Sequence, residues 1–233
     1  VIHATSSLRG DLSRRPVMRS IMLPLACLAA LCFTAADAGA VKNDYGKWAL
    51  HDAGDHNAKL NTCAFVLSNC WPDANVMGRT GAGREDIYVI AADVEGIAGT
   101  RFGICCDGPV FFYGWTSCGD FDVATVGWPA CGGGNSIAWS GEQPGPNVTV
   151  GILDTYVYTG TQGICLCVDP RVGYAEWCDG TEPLPQCLSI SPDNPNLMGY
   201  FSCVGFNGSP GFNACIPGPV EQRSWGAVKS LYR

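Results

Sequence analysis

Twelve cysteines lie between residues 63 and 215: Cys63, Cys70, Cys105, Cys106, Cys118, Cys131, Cys165, Cys167, Cys178, Cys187, Cys203 and Cys215. What they can do depends on the compartment, and the first forty residues bear on that. Met18 and Arg19 give a short basic start, 21–33 is an apolar run broken by Pro24, and "ADAGA" ends on small residues at Ala38 and Ala40. This is the pattern of a secretory signal with an A-x-A cleavage site. The apolar run is shorter than the roughly 20 residues a membrane-spanning helix needs, so no span is expected in the mature protein. Residues 1–17 read as an upstream extension. Cys27 and Cys32 belong to the leader, and Pro24 and Leu31 stand where a lipid-attachment motif would want small residues, so no lipid anchor is expected.

In an exported chain an even number of cysteines reads as disulfides, because thiols there meet oxidants rather than a reducing pool. Zinc would want paired C-x2-C knuckles, and the sequence has none. A nucleophilic cysteine needs an activating base, and beyond the leader only His51 and His56 are histidines. Parity along the strands then assigns faces. In "RFGICC" Phe102, Ile104 and Cys106 share the buried side and Cys105 points away; in "GICLCVD" Ile164, Leu166 and Val168 are buried and Cys165 and Cys167 point outward. Cys105 is therefore expected to bridge to that outward pair. Cys63 with Cys70, Cys178 with Cys187 and Cys203 with Cys215 would close short loops, each bridge contributing on the order of 2 to 4 kcal/mol. A vicinal Cys105–Cys106 bond is the strained alternative.

The spacing of apolar runs supplies the fold class. Strands are expected at 86–93, 98–106, 109–115, 121–126, 135–140, 147–159 and 163–169, separated by Gly, Pro, Asn and Asp clusters with no helical period between them. That is an all-β, disulfide-rich antiparallel β-sandwich with long loops. Residues 41–216 form the domain, with 41–85 as a loop-rich wrap pinned by Cys63 and Cys70. Beyond Asp169 the chain reads as loop, and 217–233 as a linker and tail. In the tail Ser224 can cap a short C-terminal helix that places Trp225, Val228, Leu231 and Tyr232 on one side, as a sorting or docking element.

Charge narrows the partners. Four of the 14 Lys and Arg and two of the 21 Asp and Glu lie in the first forty residues, leaving ten bases against nineteen acids. Between 85 and 193 only Arg101 and Arg171 face fourteen acidic residues. Such a surface repels phosphate backbones, so no nucleic-acid partner is expected. No cofactor motif, G-x-S-x-G or phosphate loop occurs, and no D-x-D-x-D-G calcium loop; "DNPNLMG" is an oxygen-rich turn. No cofactor, metal ligand set or catalytic residue is assigned. "NVT" at 147 and "NGS" at 207 are glycosylation sequons where the host uses them.

Two stretches bear on function. "HDAGDHN" at 51–57 puts two histidines and two aspartates within seven residues, a composition that could serve a metal-dependent hydrolase, but the spacing matches neither one helical face nor a metalloenzyme signature, and a polar turn is expected. In "VFFYGW" Phe111, Tyr113 and Trp115 share a face that could stack on sugar rings; Val110 and Phe112 make the other face apolar too, so a core strand is expected. Trp128, Trp139 and Trp177, in Gly- or Pro-bounded segments, are the expected ligand-binding tryptophans.

"YVIAADVEGIAGTRFGICCDG" resembles the opening strands of cohesin-like and related carbohydrate-binding β-sandwich modules. The resemblance implies a sandwich; cohesins normally carry few cysteines, so dockerin binding does not transfer. The closing "SWGAVKSLYR" is similar to the W-G-x-[VI]-K-x-L-Y-R ending of exported bacterial proteins, which supplies no catalytic residue. The expectation is a secreted, cell-surface or periplasmic non-enzymatic protein of structural or adhesion type, partnered by an extracellular glycan or surface protein, with a carbohydrate-binding module as the alternative.

Overall fold

The computed structural model describes residues 43–56, 62–181 and 185–216. Two antiparallel sheets pack face to face. One has the order β1 (Lys47–Asp55), β2 (Gly83–Ala92), β7 (Val148–Val157), β4 (Val110–Ser117). The other runs β10 (Cys187–Ile190), β9 (Ala175–Cys178), β3 (Gly96–Asp107), β6 (Gly134–Pro144), β5 (Phe121–Ala124), while β8 (Gln162–Cys167) follows β9 along the same edge of β3 and β11 (Cys203–Phe206) pairs with β8. The helical content of the described residues is one short 3-10 turn at Leu197–Gly199. Among them no helix is long and apolar enough to cross a membrane. The expected leader, 1–40, and the tail residues Trp225, Val228, Leu231 and Tyr232, with their expected short helix, lie outside the described residues.

The core between the sheets follows from strand alternation. Trp48 and Leu50 of β1, Ile87, Val89 and Ala91 of β2, and Val150, Leu153 and Val157 of β7 point inward; Phe102, Ile104, Ile137, Ile164, Leu166, Trp177, Val204 and Phe206 meet them from the other sheet. Each of the larger of these side chains contributes on the order of 1.5–3 kcal/mol by leaving water. Trp48 and Trp177 touch across the layers, ring centroids 3.8 Å apart, and Trp48 Nε1 donates to Thr100 Oγ1 at 2.9 Å.

The seven expected strands are present with shifted ends, but two segments read as loop also pair. β1 lies inside the expected wrap. Trp48, Ala49 and Leu50 are all buried, because the outer face of its sheet is covered as well, so no two-residue alternation marks it. The cover is 62–75: Phe65, Leu67, Cys70 and Ala74 pack on Ala49, Tyr88, Ile90, Ala92 and Ile152. Beyond Asp169, β9, β10 and β11 are four residues each, too short for a period to show.

All twelve cysteines are bonded. Cys105–Cys167 and Cys178–Cys187 form as expected. Cys63 joins Cys118 and Cys70 joins Cys215, not each other, because the cover lies flat over the sheet and each cysteine reaches a different boundary of it. Cys203 pairs with Cys165 rather than Cys215, since the β11–β8 register sets those two opposite each other. Cys106 bonds Cys131; Cys105 and Cys106 face opposite ways along β3, and no vicinal bond forms.

Candidate functional site

The cover protects only part of the outer face of the four-stranded sheet. At the other part a β-bulge sets the chemistry. β4 pairs with β7 through Phe112↔Thr155 and then Gly114↔Asp154, so Tyr113 is an extra residue and the alternation resets behind it. Val110, Phe112 and Trp115 consequently face the core, and Phe111, Tyr113 and Gly114 face out. The core placement expected for the whole strand is therefore wrong for Phe111 and Tyr113, which are 49% and 55% exposed, and their expected neighbour Trp115 turns inward onto Phe102 and Trp128.

Strand register assembles two outward rows. Arg84, Tyr156 and Phe111 stand side by side on β2, β7 and β4; Asp86, Asp154 and Gly114 form the next row. Tyr158 follows at the end of β7 and is 45% exposed. Centroid separations run 5.0 Å from Phe111 to Tyr113, 6.4 Å from Tyr113 to Tyr156 and 5.2 Å from Tyr156 to Tyr158, every pair edge-on. The Arg84 guanidinium lies 4.6 Å from the Tyr113 ring centre, a cation–π contact, and holds both Asp154 oxygens, Nε to Oδ1 at 2.6 Å. That hydrogen-bonded pairing raises the Arg84 pKa above its ordinary value. His56 Nδ1 meets Asp86 Oδ1 at 2.8 Å. A Cβ built on Gly114, the residue opposite Asp154 in its row, would meet nothing within 4 Å, so the surface is open there.

The residues of "HDAGDHN" separate rather than converge. His51 stacks on Phe65 under the cover and accepts from the Asn75 amide at 3.0 Å, and burial lowers its pKa. Asp52 is buried and accepts from Gly54. Asp55 pairs with Arg79 and His56 with Asp86. His51 and His56 thus share no centre. His56, Asp86 and Asp154 do bring possible ligand atoms within 4.8 Å of one another, but Arg84 already supplies Asp154 with the charge a cation would bring.

Inside the sandwich, behind the same end of β2, Glu85 is fully buried beside Asp52, with Arg79 Nη1 2.9 Å from Oε1. Burial, reinforced by the Asp52 charge, pushes the Glu85 carboxyl up to about 7 against the opposing pull of Arg79. It points away from the aromatic face.

The three tryptophans expected at a ligand site lie elsewhere. Trp177 is in β9 and fully buried, a correction that follows from β9 belonging to the large sheet. Trp128 is half-buried against Trp115 and Phe102; Trp139 is half-buried, its Nε1 donating to the Cys118 carbonyl at 2.8 Å. The signal for the outward tyrosines lies in "LDTYVYT", where Asp154, Tyr156 and Tyr158 alternate with Leu153, Thr155 and Val157. A cleft of about 450 Å³ opens at the opposite end of the four-stranded sheet, lined by Tyr45, Lys47, Asp93 and Tyr200 among others.

Fold and site together define a disulfide-stapled antiparallel β-sandwich with one half-covered sheet whose open half carries aromatic rings and paired charges. No family model matches the chain, and no curated protein matches it. Among solved structures it is similar to a cohesin module from a Clostridium perfringens family 33 glycoside hydrolase, at 8% identity and a TM-score of 0.34 over 50% of this chain and 90% of that one.

Proposed function

We propose that this is an exported, non-catalytic binding module of adhesion type that holds carbohydrate on the outer face of β4 and β7. The supporting observation is the outward series of exposed Phe111, Tyr113 and Tyr158 with half-buried Tyr156 among them, beside the Arg84–Asp154 pair. Sugar rings offer an apolar face and a rim of hydroxyls, and this surface offers rings for the first and donors and acceptors for the second. Six disulfides fit a protein that matures and works in an oxidising, extracellular or surface compartment.

Charge placement supports a non-catalytic role. Both carboxylates of the outward rows are engaged, Asp154 by Arg84 and buried Asp86 by His56, and the carboxyl pushed up to about 7, Glu85, is sealed in the interior. Glycosidic cleavage needs an acid and a base flanking the bond. The test is a glycan array: wild-type protein binds at least one saccharide and Tyr113→Ala, with an unchanged melting temperature, loses it. Binding retained by Tyr113→Ala, or binding to no saccharide, would remove the reading.

A further inference from the structure

The character of the open face goes further than its being aromatic. We infer that the occupant is a single, uncharged pyranose chain laid across β4 and β7 between Phe111 and Tyr158, its hydroxyls read by the Arg84–Asp154 pair. This rests on the carbohydrate reading above and specifies its ligand.

Charge selects the uncharged class. Arg84 is the cation in the two outward rows, and its Nε and Nη2 both donate to Asp154. With Asp86 added, the Arg and Asp side chains of the two rows carry one positive and two negative formal charges. The basic residues of the following hundred positions, Arg101 and Arg171, serve the other sheet. Arg171 pairs with the fully buried Asp169, and Arg101 stacks on Tyr174 and donates to its hydroxyl at 2.7 Å. An acidic polysaccharide would therefore meet a face with no uncommitted cation and a surplus of negative charge. A cationic chain would have to compete with Arg84 for Asp154. Neutral vicinal hydroxyls, which donate and accept, can add to the Arg84–Asp154 pair without displacing either member, and charge-assisted hydrogen bonds are the stronger kind.

Ring geometry selects a single chain. The interplanar angles along the series are 82°, 85° and 71°, so successive rings alternate face and edge and share no plane. A crystalline polysaccharide surface needs coplanar rings. A stepped series instead follows one chain whose sugars turn relative to each other. The open surface at Gly114, next to Tyr113 and opposite Asp154 in its row, is where a sugar has room.

Affinity gel electrophoresis of the whole domain separates the possibilities. Galactomannan, xyloglucan and a mixed-linkage β-glucan serve as neutral soluble probes, alginate and chitosan as charged ones, and microcrystalline cellulose sedimentation as the crystal-face probe. At least one neutral soluble polymer is expected to retard the protein, with little change between low and high salt because no net ion pair forms. Tyr113→Ala should weaken retardation roughly tenfold. Gly114→Leu fills open space and should abolish retardation while leaving the melting temperature unchanged. Arg84→Gln should weaken it by roughly tenfold, the loss expected for charge-assisted hydrogen bonds. Salt-sensitive retardation by alginate or chitosan in place of the neutral polymers, or preferential sedimentation with cellulose, would overturn this inference and leave the carbohydrate reading standing. No interaction with any of these probes, together with a blank array, would overturn both.

Discussion

The two sheets of the sandwich are held together by different means. Four of the six disulfides involve strands of the seven-stranded sheet: Cys105–Cys167 links β3 to β8, Cys165–Cys203 links β8 to β11, Cys178–Cys187 links β9 to β10, and Cys106–Cys131 ties β3 to the loop before β6. The four-stranded sheet contains no bridge between its own strands; Cys63–Cys118 and Cys70–Cys215 anchor the segment that covers it. Strand length alone does not separate the sheets, since β3 and β6 of the cross-linked one run twelve and eleven residues, but its short strands β9, β10 and β11 have four residues each and each carries a bridge. In the other sheet β2 and β7 run ten residues and bury both faces over most of that length. Cross-links hold those three short strands; burial on two faces holds the long strands opposite. The candidate binding face lies where that burial stops.

The largest effect is expected where both sheets meet. Trp177→Ala removes the ring that packs on Trp48 and should cost about 3–5 kcal/mol, measured by urea unfolding under oxidising conditions. A change under 1 kcal/mol would show that the layers do not depend on this contact.

Next comes the cover. Removing Cys70–Cys215 with paired Cys→Ala changes, a bridge spanning 145 residues, should cost about 2–5 kcal/mol and uncover Tyr88 and Ile90 to a hydrophobic dye. Removing Cys178–Cys187, which spans nine residues, should cost less and leave dye binding unchanged. Equal effects would erase the distinction between cover and sheet.

A smaller effect concerns pH. The folded pKa of Glu85, about 7, lies above its ordinary 4.5, so the native state holds that proton to higher pH than the unfolded chain. Its stabilisation is full below pH 4.5 and is lost as pH rises through 7, by an amount on the order of 2–3 kcal/mol. Asp52, raised mainly by burial, acts in the same direction. Glu85→Gln should flatten the fall in stability between pH 5 and 9; a variant whose profile matches wild type would mean the carboxyl is hydrated.

The smallest stability effect is expected on the open face. Tyr113→Ala is an exposed substitution at a bulge and should change stability by less than about 0.5 kcal/mol. A large loss would show that the ring serves packing.

Much of this architecture was legible because alternation and turn residues carry it. Phe102, Ile104 and Cys106 on one side of β3 and Cys105 on the other are visible in six letters, and so is the reach of Cys105 toward β8. β1 was not legible, since a strand buried on both faces shows no alternation, nor was the pairing of Cys70 with Cys215, which depends on where the cover lies. The site was missed for a related reason. One inserted residue at Tyr113 reverses the parity of Trp115, and no letter in "VFFYGW" marks a bulge. The tryptophans are the conspicuous aromatic letters, yet Trp177 belongs to the core, whereas the outward tyrosines of β7 stand in a strand whose alternate residues are buried.

The decisive quantity is which surface a ligand touches. An amide chemical-shift titration of the 15N-labelled domain with short neutral manno- or gluco-oligosaccharides reads this directly. The expected result is a set of perturbed amides at Phe111 to Gly114 and Asp154 to Tyr158, with His56 and Arg84 beside them, and quiet amides elsewhere. Perturbations confined to the cleft at Tyr45, Asp93 and Tyr200, or to Trp128 and Trp139, would contradict it.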